Sequence, residues 1–216
     1  MLFSIIAHEY AHGYAALKQG DTTALSLGRL TWNPIKHIDP IMTIVLPLLL
    51  AAAHQPVIGG AKPVPVDPRN YRNLRRGDII VSLAGVSVNL VIAIVSTGLV
   101  AAVGLVASVM PNATHVLSIV QAMMILAVNL NLALIAFNLI PVPPLDGSHV
   151  VKYLLPPRWA FYYQRLGFAG LILLIVLIRV GFLEWWFKPA SIVMDFLLND
   201  VAGRWILPQS VQWLFR

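Results

Sequence analysis

The segment His8-Glu9-Tyr10-Ala11-His12 places two imidazoles four residues apart with a carboxylate beside the first of them. On a helix that spacing puts His8 and His12 on one face, where both rings can reach a single divalent ion. Glu9 is then positioned to take a proton from a water polarised by that ion. The chemistry such a set supports is metal-assisted hydrolysis. The competing reading is a helix that merely carries three polar residues. Phe3, Ile5, Ile6, Tyr14 and Leu17 surround them, and unpaired ionisable groups are expensive in so apolar a segment. Ligation to a metal removes much of that cost, and we adopt it.

A hydrolytic zinc site takes three protein ligands and keeps a fourth position open. The third ligand must come from the remaining histidines or the few carboxylates, because the chain has no cysteine. That absence also excludes disulfides, a thiolate site and a cysteine nucleophile. Asp146 stands out as the one aspartate flanked by apolar runs and a proline break. Pro141, Pro143 and Pro144 stop the helix before it, and Gly147 permits a tight turn that aims the carboxylate inward. Taken alone, the dipeptide Asp146-Gly147 reads more readily as an ordinary turn at a helix end.

The elements that position these groups belong to a membrane protein. Of the 216 residues, 58% are hydrophobic and 11% charged, and the mean hydropathy is +0.78. A soluble domain needs far more polar surface. The runs Ile79 to Met110 and Leu117 to Ile140 are each long enough to cross a bilayer, which takes about 20 helical residues. The pattern predicts an all-α polytopic membrane protein of about four to six transmembrane or re-entrant helices. We expect one membrane-embedded domain over 1–216, with a core at 1–152 and a C-terminal helix and interfacial tail at 153–216. Met1 to Ala7 lacks the basic start and cleavage site of a signal peptide.

The first apolar segment runs from Met1 to Leu17 and ends at Lys18, Gly20 and Asp21. The run Ile41 to Ala53 is short, contains Pro47 and reads as re-entrant. Gly59 to Pro68 alternates Val with Pro, which suits an extended or short β segment near the site. Leu166 to Leu183 is the last strong apolar run. Trp185 and Trp186 then mark an interfacial belt, and Pro189 to Arg216 fits a helix lying on the membrane surface.

The net charge of +6 and pI near 9.9 do not point to nucleic acid. Basic residues gather in short loops between apolar runs, as the positive-inside bias requires. Both the Lys18 to Asp39 and the Lys62 to Arg76 loops are basic and are expected on the cytoplasmic side, with 41–53 dipping in and returning and Met1 outside. Counting from His12 to Lys18 gives roughly 9 Å of helix, which sets a metal below that surface yet within reach of water.

His8-Glu9-x-x-His12, followed far downstream by Asn138-Leu-Ile-Pro-Val-Pro-Pro-Leu-Asp146-Gly147, resembles the site-2 protease family of intramembrane zinc metalloproteases. Asn33-Pro34-x-x-His37-Ile38-Asp39-Pro40 and Ala61-Lys62-Pro63-Val64-Pro65-Val66 are similar to its compact prokaryotic branch, which lacks a PDZ domain. The motifs cover most of residues 1 to 152. The resemblance implies one zinc ion held by His8, His12 and Asp146, with Glu9 as catalytic base and Asn138 contacting substrate backbone or the developing oxyanion. It implies transmembrane protein substrates, a lipid bilayer as surroundings and a multi-pass place in a prokaryotic plasma membrane. A substrate helix must unwind before zinc reaches a carbonyl, and Gly59 to Val66 is expected to pair with it as an added strand. Two departures stand out. Family members usually carry more apolar residues ahead of HExxH, which implies a shortened or late-starting first helix. The family's Ala-Gly-Pro-x-x-Asn pattern stands here as Ala84-Gly85-Val86-Ser87-Val88-Asn89, and we expect that change to affect packing alone.

His37, His54, His115 and His149 are read as simple polar residues, and Asn129 and Asn131 as interhelical hydrogen-bonding groups. Two other functions share the ligand set. A membrane metal transporter could use His8, His12 and Asp146 for transit, but would not require Glu9. A non-catalytic homologue could hold membrane-protein partners without a metal.

Overall fold

The computed structural model describes residues 2–52 and 60–214, so His54 and Gly59 lie outside the described residues. Helix α1 (Leu2–Gln19) forms from a stretch of mainly apolar and small residues around His8, Glu9 and His12, with no proline to break it. It ends because Gly20 takes φ +112°, a conformation that needs no Cβ. The Asp21 N–H returns to the Ala16 carbonyl at 3.0 Å and the Gly20 N–H to Leu17 at 3.1 Å, which satisfies two carbonyls of the last turn. A short helix α2 (Thr23–Ser26) follows, then a 3-10 turn at Pro34–His37. A π-helical stretch Pro40–Val45 continues into α3 (Leu46–Ala52), the segment expected to be re-entrant.

Helix α4 (Leu74–Val109) has 36 residues, about 54 Å of rise. It begins several residues earlier than the apolar run suggests. Asn73 caps it by accepting from the Arg76 N–H at 2.9 Å, and so Arg75, Arg76 and Asp78 lie inside its first turns. A 3-10 turn at Pro111–Ala113 leads to α5 (Thr114–Asn138). Beyond it lie α6 (Asp146–Val151), α7 (Pro157–Gln164), α8 (Gly167–Arg179), α9 (Phe182–Trp186), α10 (Lys188–Asp195) and α11 (Pro208–Leu214). Two helical stretches, Leu74–Val109 and Pro111–Asn138, are long and apolar enough to cross a membrane. A third span arises if Pro157–Gln164 and Ala169–Arg179, which bend by 85°, count as one. The protein is an all-α membrane protein. The described residues hold no β-strand; residues 60–67 carry no regular secondary structure, and Asp67 takes a β-region conformation.

The chain divides into two compact units. The first comprises Met1–Val88 with His149–Ala160. Its core packs Ala16 of α1 and Val81 of α4 with Tyr71, which precedes α4. The fully buried Asp21 carboxylate accepts from Thr23 N–H and hydroxyl, the Asp67 N–H at 2.7 Å and the Asn70 amide at 2.9 Å. Burial alone would raise this carboxyl, but the four donors outweigh it and hold its pKa below the usual value.

The second unit comprises Asn89–Ser148 with Phe161–Arg216. Ala93, Val100, Ile125, Val128, Leu132, Leu198 and Ala202 form its main core. Residues 188–214 pack back on α5. The reason is Gln121, fully buried, whose amide donates to the Val100 and Trp205 carbonyls at 2.9 and 2.8 Å. Its oxygen accepts from the Leu207 N–H and the Ser210 hydroxyl, both at 2.8 Å. A buried amide with all these partners ties the tail to the long helices. Asn131, also fully buried, bonds the Ala127 carbonyl of its own helix at 2.8 Å.

Candidate metal centre

Helix α1 presents His8 and His12 one turn apart, with Nε2 of each ring 2.9 Å from the other. His8 is buried. The ring planes meet at 80°, with centroids 4.6 Å apart. His12 Nδ1 lies 2.7 Å from the Val81 carbonyl of α4. A carbonyl only accepts, so Nδ1 carries the proton and Nε2 presents its lone pair. This is the arrangement in which a backbone oxygen orients a ligating imidazole. Two nitrogens of a tetrahedral zinc site, each about 2.0–2.1 Å from the ion, sit roughly 3.3 Å apart. The observed separation is slightly tighter, and the donor set fits a zinc ion.

Gly85 gives this pair its room. A Cβ there would stand 2.5 Å from His8 Nε2 and 2.6 Å from His12 Nε2. Any side chain would therefore occupy the point where the two rings converge. Gly85, from the Ala84-Gly85 motif, forms a wall of the centre.

Glu9 lies half-buried beside the pair. Its Oε2 accepts from the Val64 N–H at 2.7 Å. Val64 belongs to the stretch 60–67, which is fastened along its length. The Thr43 hydroxyl donates to the Gly60 carbonyl at 2.6 Å, and the Lys62 N–H to the His37 carbonyl at 2.8 Å. Arg29 donates to the Lys62 and Pro63 carbonyls at 3.0 and 3.3 Å. Asp21 takes the Asp67 N–H. Pro63 and Pro65 have no N–H to satisfy. His37 is buried and its Nε2 meets the Thr31 carbonyl at 2.9 Å, which makes it a structural latch.

Asp146 lies in the second unit, as the first residue of α6. The proline-rich turn before it is held from within that unit. Ile140 and Val142 are buried with Leu174, and the Tyr163 hydroxyl donates to the Pro141 carbonyl at 2.9 Å. Gly147 is needed for close approach rather than for an unusual dihedral. A Cβ on it would fall 2.3 Å from the Leu139 carbonyl oxygen, so only glycine lets α6 start against the end of α5. Asn138 closes α5 and donates from Nδ2 to its own Leu134 carbonyl at 2.9 Å. A primary amide has a second N–H to offer. His149 has a definite partner, Asp78, at 3.1 Å.

Sequence reasoning missed the Val81 carbonyl, the Val64 N–H and the wall at Gly85. Backbone groups leave no signature in residue type, and only the Ala84-Gly85 motif offered a hint.

Residues 97–177 match the model of peptidase family M50. The chain is 37% identical over 177 residues to YwhC of Bacillus subtilis (strain 168), an alignment covering 82% of this chain and 77% of that protein. It is 30% identical over 199 residues to Rip2 of Mycolicibacterium smegmatis, covering 90% and 71% of the two chains. Rip2 of Mycobacterium tuberculosis (strain ATCC 25618 / H37Rv) matches at 30% over 186 residues, covering 86% and 67%. Each of these is named as a candidate zinc metalloprotease. No solved structure matches.

Proposed function

We propose that this chain, which belongs to peptidase family M50 and is an intramembrane zinc metalloprotease, holds its ion with His8, His12 and Asp146 and uses Glu9 as its base. The single observation that carries the proposal is the convergence of the His8 and His12 Nε2 atoms at 2.9 Å on the helix that also carries Glu9. The motif likeness brings Asp146 to this pair as the third ligand.

Zinc, when bound, supplies the Lewis acid that polarises the scissile carbonyl and acidifies water. The protein supplies the rest. Glu9 accepts a proton and passes it to the leaving amine. The Val64 N–H holds Glu9 in place. The Val81 carbonyl fixes the His12 tautomer, so that Nε2 of the neutral ring presents its lone pair. Asn138, through its second N–H, is the residue we assign to the substrate backbone or the developing oxyanion.

The substrates are membrane proteins, cut in or near their transmembrane segments. An unwound substrate needs partners for its backbone groups. The stretch 60–67 is the proposed template, since fastening from several sides leaves it rigid enough to accept an added strand. The proposed setting is the plasma membrane of a prokaryote, crossed several times, with both basic loops on the cytoplasmic side.

The test uses purified protein and model transmembrane substrates. Glu9→Gln is expected to abolish cleavage and keep zinc. Asp146→Ala is expected to abolish cleavage and lower bound zinc. Cleavage surviving Glu9→Gln overturns the assignment, and zinc flux surviving that change in proteoliposomes favours a transporter.

A further inference from the structure

The first turns of α4 carry a buried acid that the chemistry above does not use. Asp78 is 2% exposed. Its Oδ1 meets His149 Nδ1 at 3.1 Å, and its Oδ2 accepts from the Tyr153 hydroxyl at 3.0 Å and forms an ion pair with Lys152. All three partners come from the end of α6 and the turn that follows it. The Tyr153 N–H bonds the Val150 carbonyl at 3.2 Å and the Leu154 N–H bonds Val151 at 2.9 Å, so that turn is itself ordered. The Arg75 guanidinium, one turn earlier in α4, lies over the Tyr153 ring at 5.7 Å.

A carboxylate this deep is costly unless its lone pairs are well matched, and replacing such a network with apolar residues is often neutral for stability. A network of this kind can serve a role other than holding the fold together. The helix it grips supplies one. With six residues, α6 is too short to hold its shape unaided. Its first residue is Asp146, and its fourth is His149, one turn along the same face.

We propose that Asp78 is a positioning residue for the metal centre: by binding His149, Lys152 and Tyr153 it fixes the rotation and height of α6, and so the direction of the Asp146 carboxylate. This rests on the reading of Asp146 as a ligand. Gly147 sets how closely α6 starts against the end of α5, and Asp78 sets how the other end is turned. Partners of ligands commonly change metal affinity without touching the metal.

The experiment is a double-mutant cycle on the full-length protein in detergent, read as zinc affinity by chelator competition and, separately, as kcat and KM. Asp78→Ala is expected to weaken zinc binding about tenfold to a hundredfold, with the loss in kcat rather than KM. In an Asp146→Ala background the same change is expected to alter zinc affinity by less than about twofold, because the two act through one ligand. His149→Leu leaves Asp78 paired with Lys152, and is expected to move zinc affinity in the same direction with the same dependence on Asp146. Equal losses in both backgrounds, or no loss from either variant, overturn the proposal. If Asp146→Ala itself leaves zinc affinity unchanged, the ligand reading has failed, and the positioning role falls with it.

Discussion

The Glu9 carboxylate and the Val64 N–H are joined by a 2.7 Å hydrogen bond between residues 55 positions apart. The bond couples the proposed base to the stretch 60–67, itself proposed to receive substrate. A hydrogen bond to a charged group is worth about 1.5–3 kcal/mol, so removing the donor has a readable consequence. Val64→Pro is expected to lower kcat about tenfold to a hundredfold with zinc content unchanged. Steady-state cleavage with parallel metal analysis checks this. A kcat equal to wild type means the bond does not orient the base.

Gly85 faces the His8 and His12 rings, and its substitution is a local test of the proposed centre. Gly85→Ala places a methyl group 2.5 Å from His8 Nε2 and 2.6 Å from His12 Nε2. One or both rings must move, because an overpacked site relaxes by displacing side chains. Zinc affinity is expected to fall at least about tenfold while helical content stays at the wild-type level. Retained affinity places the ion elsewhere.

Asp21 gives the first unit a dependence on acid. Four donors hold its carboxyl below the usual value in the folded protein. The unfolded chain therefore takes up a proton first as pH falls. The stability Asp21 contributes is complete above the ordinary carboxylate pKa of about 3.9 and is lost as pH drops through the lower folded value. Asp21→Asn is expected to melt lower than wild type at neutral pH and to show a shallower loss below about pH 4. Thermal melts across that range decide it. An unchanged acid limb means the carboxylate is not under this control.

The two basic loops provide a test of orientation. Single cysteines placed in the 18–39 and 62–76 loops of this cysteine-free chain are expected to react with impermeant reagents from the same, cytoplasmic side. Opposite accessibility means the segment between them crosses the bilayer instead of returning.

The pairing of His8 with His12 was legible because its geometry is local. His8 and His12 need only a helix to converge, and the helix is written in the small and apolar residues around them. Asp146 and Gly147 were legible as a motif, but not the reason for Gly147, which lies in the approach of the Leu139 carbonyl from the end of α5. The groups that orient the site were not legible. The Val81 carbonyl and Val64 N–H are backbone atoms brought in by elements 69 and 55 positions from their partners. Helix α4 starts ahead of the apolar run, with Arg75, Arg76 and Asp78 already inside it. Asn73 caps the helix before them, and Asp78 spends its charge on residues 149–153. The tail's return onto α5 depends on Gln121, one polar residue in an apolar run whose four partners are invisible until the chain is folded.

Zinc K-edge X-ray absorption of the purified enzyme, beside Asp146→Ala, tests the ligand set most directly. The account predicts two imidazole nitrogens and two oxygens at about 2.0–2.2 Å in the wild type, with the carboxylate contribution gone and the imidazoles kept in the variant. A coordination sphere without imidazole, or one that Asp146→Ala leaves unchanged, contradicts it.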